Sequence, residues 1–104
     1  MPLQMLIKRC KSILANHYGL QFQGLVLYGS VTGRKAHKES DIDLLVLLKK
    51  PGDYLKELRR LTDLLYPLQL ESDQLISAKP ADYAAFDKGD LQLYRNAKKY
   101  GMLV

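Results

Sequence analysis

A chain of 104 residues, 47% hydrophobic and 26% charged, is sized for one domain around a single core. Its longest uninterrupted apolar run, Leu44-Leu45-Val46-Leu47-Leu48, is far too short to cross a bilayer, and Met1-Pro2-Leu3-Gln4-Met5 lacks the basic-then-apolar layout of a signal peptide. A formal net charge of +5 favours anionic partners (nucleotides, RNA, an acidic protein surface), and the single Cys10 excludes an internal disulfide and a cysteine-based zinc site. No membrane partner is expected, and a cytoplasmic location is the default.

Residues 3–16 place Leu3, Leu6, Ile7, Cys10, Ile13 and Leu14 on one stripe, which predicts an amphipathic helix with Cys10 as a buried apolar residue. Gly19 is its stop signal, and His17 is read as a helix-end residue. Residues 21–28, Gln21-Phe22-Gln23-Gly24-Leu25-Val26-Leu27-Tyr28, read as a strand that Gly29-Ser30 ends sharply. Ser30 suits the N-cap of a short helix, and residues 33–40 are loop-like. Residues 41–48 form a second strand, apolar on both faces beyond Asp41 and Asp43, as a central covered strand should be.

Lys49-Lys50-Pro51-Gly52 is a turn, and Asp53 caps a helix over 54–65. That helix turns Leu55, Leu58, Leu61, Leu64 and Leu65 inward and Lys56, Arg59 and Arg60 outward. Pro67 is expected to break it. A third, more polar strand is expected over 69–77. Pro80 then opens a helix over 81–86, and a last helix over 91–100 is closed by Gly101. The fold class is α/β (α+β), one domain over 1–104 with a small mixed sheet flanked by helices.

The chemistry concentrates between Gly29 and Asp43. An apolar strand ending in Gly-Ser lets backbone N–H groups and the Ser30 hydroxyl approach phosphate oxygens without a Cβ clash. It is not a Walker loop, because the Gly-Lys-Ser/Thr ending is absent. Asp41 and Asp43 stand two apart on a strand, so they share a face. Two such carboxylates repel, and a divalent cation relieves that repulsion. Hard oxygen ligands on a strand suit Mg²⁺. Arg34, Lys35 and Lys38 lie in the intervening loop, where cations can neutralise a triphosphate or a pyrophosphate leaving group. Read alone, each is equally a solvated basic residue, and His37 is a further phosphate contact to weigh.

Gly-Ser, ten intervening residues, then Asp-x-Asp within Ser40-Asp41-Ile42-Asp43-Leu44-Leu45-Val46 resembles the signature of the polymerase-β-like nucleotidyltransferases, and of their minimal branch in particular. The resemblance covers residues 22–48 closely and the rest loosely. It implies the polymerase-β-like nucleotidyltransferase fold and Mg²⁺-dependent transfer of a nucleotide, AMP from ATP or NMP from another NTP, to a hydroxyl. Two Mg²⁺ ions are implied, with Asp41 and Asp43 as ligands. A third carboxylate, metal ligand and proton acceptor, would come from a later strand, with Asp73 preferred over Glu71. Gly29, Ser30, Arg34 and Ser40 are the implied nucleotide contacts. Here the sequence departs from many relatives: Val31-Thr32 follows Gly-Ser where they carry a basic residue and Gly33 comes one position early, so Arg34 would have to supply the charge.

Small members of this branch are often antitoxins paired with helical HEPN-type toxins. The expected partners are therefore an NTP and such a toxin, in a hetero-oligomer, with nucleic acid as a further candidate acceptor. The competing reading is a non-catalytic module that neutralises a partner by occlusion alone.

Overall fold

The computed structural model describes residues 1–28 and 41–104. Two helices pack on one face of a small mixed sheet and two shorter helices on the other. Helix α1, Leu3–Tyr18, buries Leu6, Ile7, Cys10, Leu14 and Tyr18, the expected stripe extended by one turn, and ends at Gly19 with φ +58°. A single 3-10 turn, Gly19–Gln21, leads into β1, Phe22–Tyr28. Strand β2, Ile42–Leu48, pairs antiparallel with β1, placing Tyr28 opposite Asp43 and Val26 opposite Leu45.

Asp53 caps α2, Tyr54–Glu71, by accepting a hydrogen bond from the Lys56 N–H at 3.1 Å. Pro67 does not break this helix; it sits inside it. Proline removes one backbone bond and costs about 3 kcal/mol in a helix interior. The buried stripe Leu61, Leu65, Leu68 runs straight through the site, with Leu68 at 0% exposure. Burying one such leucine is worth roughly 1.5–3 kcal/mol, so the further turn that carries Leu68 into the core offsets most of the local penalty. The strand expected over 69–77 is accordingly displaced.

Strand β3 is Ile76–Asp82, parallel to β2 in the register Ile42 to Ile76 and Asp43 to Ser77. Gln69 joins the two elements: its amide donates to the Gln74 carbonyl at 3.0 Å and accepts from the Ile76 N–H at 2.7 Å. Pro80 lies within β3 instead of starting a helix. Its missing donor is tolerated because β3 is an edge strand of the sheet, whose order is β3-β2-β1-β4.

Asp82 caps α3, Tyr83–Lys88, and Gly89 closes it in the left-handed conformation. Helix α4, Gln92–Tyr100, ends at Gly101, and β4, Met102–Leu103, returns to pair with β1. Gly101 is required by proximity: a Cβ there would stand 2.5 Å from the Ala97 carbonyl oxygen.

The period-2 alternation of β2 divides the core. Ile42, Leu44, Val46 and Leu48 face α1 and α2, together with Leu25 and Leu27. Leu45 and Leu47 face α3 and α4, with Val26, Ala81, Phe86, Tyr94 and Ala97. On the first face α1 and α2 are tied at both ends. The Tyr18 hydroxyl donates to Glu57 at 3.0 Å, and Arg9 pairs with Glu71 at 3.4 Å. No described helix is long and apolar enough to cross a membrane.

Candidate active site

The alternation that buries Leu45 and Leu47 against α3 and α4 also directs Asp43, and Asp41 before it, toward that face. Asp41 is exposed at the start of β2, and Asp43 is half-buried one residue pair into it. Tyr28 flanks Asp43 from β1 and Ser77 flanks it from β3. Lys79 is two residues beyond Ser77 on the same strand and therefore on the same face, opposite Leu45. Buried Ala81, next in that alternation, fixes the face because it packs in the α3/α4 cluster.

Helices α3 and α4 cover only part of this face. Val26, Leu45, Leu47 and Ala81 are buried, whereas Tyr28, Asp43, Ser77 and Lys79 remain half-exposed. Among the described residues this leaves a partly uncovered floor at the end of the sheet where β1 finishes and β2 and β3 begin.

Its electrostatics follow from that placement. Burial raises the Asp43 carboxyl above its ordinary 3.8, the charge of Asp41 raises it further, and Lys79 opposes both. The Tyr28 phenol is pushed up to about 12 by burial, with Asp43 and Tyr54 adding to the effect. Its hydroxyl is buried and has no hydrogen-bond partner among the described residues. The floor thus carries a raised Asp43 carboxyl beside Asp41 and, among the described residues, an unpaired phenol donor, both of which a ligand can relieve.

Of the residues singled out from the sequence, the structure brings Asp41 and Asp43 together. Gly29, Ser30, Arg34 and Ser40, with Gly33, Lys35, His37 and Lys38, lie outside the described residues. Glu71 ends α2, on the opposite face of the sheet, and is engaged by Arg9. Asp73 is exposed in the turn between α2 and β3, three residues before the strand begins. Neither belongs to the strand that flanks Asp43, because that strand starts later than the sequence suggested.

Among the described residues no three His, Cys, Asp or Glu side chains gather into a group able to hold a metal ion. The pair Asp41 and Asp43 fits a divalent cation that takes its remaining ligands from phosphate oxygens and water, a common arrangement for Mg²⁺. A second ion held by a third carboxylate has no such support. Tyr28, Ser77 and Lys79 were not singled out from the sequence. Tyr28 was legible as the residue before Gly29; the other two were hidden by the misplaced strand.

A cavity of about 590 Å³ lies along α2, lined by Asp53, Lys56, Arg59, Arg60 and Asp63 among others. Its size does not make it the reaction centre. It lies along a helix that starts at the far end of β2 from Asp43, and its two acidic residues flank three cations.

Comparison with known proteins agrees with the fold. A family model described as polymerase beta, nucleotidyltransferase, matches residues 8–102. A chain in the crystal structure of a mutant of the toxin–antitoxin MntA–HpeT is similar in structure, with a TM-score of 0.58 and 19% sequence identity, over 100% of this chain and 72% of that one. No curated protein matches the sequence.

Proposed function

This chain belongs to the polymerase-β nucleotidyltransferase family, and from that premise we propose that it transfers a nucleoside monophosphate, AMP from ATP in the first instance, to a hydroxyl of a partner protein. The observation that carries the reading is the pairing of Asp41 and Asp43 on the open end of the sheet, in the half-covered floor beside Tyr28.

In this reaction the acceptor oxygen bonds to the α-phosphorus. The bridging bond from the α-phosphorus to the β-phosphate breaks, and pyrophosphate leaves with the electron pair. Mg²⁺, when bound, would neutralise phosphate charge and favour the attacking oxygen. Asp41 and Asp43 would hold it, fixed by a strand buried on both faces so that little reorganisation is needed. Gly29, Ser30, Arg34 and Ser40 are the proposed nucleotide contacts. Asp73 is the proposed acceptor of the hydroxyl proton. It is exposed at the mouth of β3, at the same end of the sheet, whereas Glu71 is already engaged with Arg9.

The acceptor is proposed to be a helical toxin of the HEPN type, bound in a hetero-oligomer, with the chain acting as its antitoxin. The structural relative named for a toxin–antitoxin pair supports this direction. A second reading, neutralisation by occlusion without chemistry, is favoured by one observation: the position opposite Asp43 on β3 is Ser77, not a carboxylate.

The test uses ATP labelled at the α-phosphate, Mg²⁺ and the product of the neighbouring gene. Label transfer that Asp43→Ala abolishes supports the enzyme. Tight binding of the partner without label, unchanged by Asp41→Ala plus Asp43→Ala, supports occlusion and removes the catalytic proposal.

A further inference from the structure

The charge balance of the floor is incomplete in a way that points to one more residue. Asp41 and Asp43 hold two negative charges on a partly desolvated face, and a triphosphate would add more. One divalent cation between them leaves excess negative charge. Two cations of α4, the longer helix on this face, are engaged elsewhere. Arg95 donates to the Gly89 carbonyl at 2.7 Å and to Gln92 at 3.1 Å, and Lys98 donates to the Asp87 carbonyl at 2.8 Å.

Lys79 differs from them. It projects from the middle of β3, in register with Leu45 and one alternation beyond Ser77, on the face that carries Asp43. It is half-buried, and it makes no hydrogen bond or ion pair among the described residues. Its side chain is close enough to Asp43 to act on that carboxyl electrostatically. With Asp43 as a charged neighbour and no bonded partner among the described residues, its ammonium is placed to meet a phosphate brought to the carboxylates.

We propose that Lys79 is a nucleotide-binding residue, whose ammonium contacts phosphate oxygens of the nucleotide held at Asp41 and Asp43. The inference rests on the nucleotidyltransferase reading and deepens it. Where a second cation would need a third carboxylate, this chain offers Ser77 and, two residues along on the same face, an ammonium. A lysine suits the task because it reaches phosphate as a compact charge on a flexible stem. No group is transferred to or from it.

The test is calorimetric titration of the whole chain with Mg²⁺ and a non-hydrolysable α,β-methylene analogue of ATP. Lys79→Met keeps the apolar stem and removes the charge. It is expected to weaken binding roughly tenfold or more, the usual loss of a charge-assisted phosphate contact. Lys79→Arg is expected to restore most of the affinity, and adenosine, which lacks phosphate, is expected to bind wild type and Lys79→Met alike. Lys79→Gln replaces Lys79→Met if thermal unfolding shows the latter misfolded. Wild-type affinity in the neutral variant overturns the proposal. If wild type binds and Asp43→Asn does not, while Lys79→Met is unaffected, only the role of Lys79 falls. If wild type takes up no magnesium nucleotide, the underlying reading falls with it.

Discussion

Replacing Asp43 by asparagine should stabilise the ligand-free protein while removing its response to magnesium nucleotide. Asp41 and Asp43 are two residues apart on an extended strand, a separation of roughly 6.6 Å. Two unit charges at that distance repel by about 0.6 kcal/mol in water and about 2.5 kcal/mol at an effective dielectric constant near 20. Asp41 is exposed, so screening keeps the value toward the low end, about 1 kcal/mol. Burial of Asp43, the larger cause of its raised pKa, adds to this cost. Because the folded carboxyl has a higher pKa than the unfolded one, its ionisation opposes folding. The fold is spared that cost below the ordinary value of 3.8 and bears it increasingly as pH rises through the raised one. At pH 7 the neutral amide should therefore raise the Tm, measured in EDTA, by about 4–8 °C, the shift expected of 1 kcal/mol in a domain of this size. Saturating Mg²⁺ with the ATP analogue should reverse the order, since ligand at a hundredfold excess over its Kd stabilises by about 2.7 kcal/mol. The reasoning is refuted if Asp43→Asn is no more stable than wild type in EDTA, or if the ligand stabilises both proteins equally.

Tyr28→Phe should leave the ligand-free fold as stable or more stable, by up to about 1 kcal/mol in urea unfolding, because it removes a buried hydroxyl with no partner among the described residues. A clear destabilisation would show that the hydroxyl is bonded. Gly101→Ala should destabilise by about 1–3 kcal/mol, since its Cβ would meet the Ala97 carbonyl at 2.5 Å and Val26 at 3.0 Å; an unchanged denaturation midpoint contradicts the packing of α4 and β4. Tyr18→Phe should cost about 1 kcal/mol through the lost bond to Glu57, without changing nucleotide affinity, because that contact joins α1 to α2 on the other face. Glu71→Gln should spare label transfer whereas Asp73→Asn slows it; equal loss in both would contradict the assignment of Asp73.

The elements with a strong local signal were legible before any coordinates. The stripe from Leu6 to Leu14 gave α1, the doubly apolar run from Leu44 to Leu48 gave the central strand, and Asp53 marked the start of α2. The Asp41-Ile42-Asp43 pattern placed both carboxylates on one face of the sheet, because that depends only on the alternation of a strand. What stayed hidden depended on a contest between local and tertiary energies. Pro67 and Pro80 both read as boundaries, since proline is locally costly in helix and strand alike. Burial of Leu68 carries the helix past the first, and the edge position of β3 accommodates the second. That one displacement moved β3 from 69–77 to Ile76–Asp82. It took Asp73 and Glu71 off the strand and put Ser77 and Lys79 beside the carboxylates.

Binding of a divalent cation and a nucleotide at the carboxylate pair can be observed directly by paramagnetic relaxation. Mn²⁺, substituted for Mg²⁺ with the ATP analogue, broadens nearby amide signals in a nitrogen–proton correlation spectrum. Binding at the pair requires that Tyr28, Asp41, Ile42, Asp43 and Ser77 broaden first, and that Asp43→Asn abolishes the effect. Broadening centred instead on Asp53 and Asp63 along α2, or unchanged in Asp43→Asn, would contradict it.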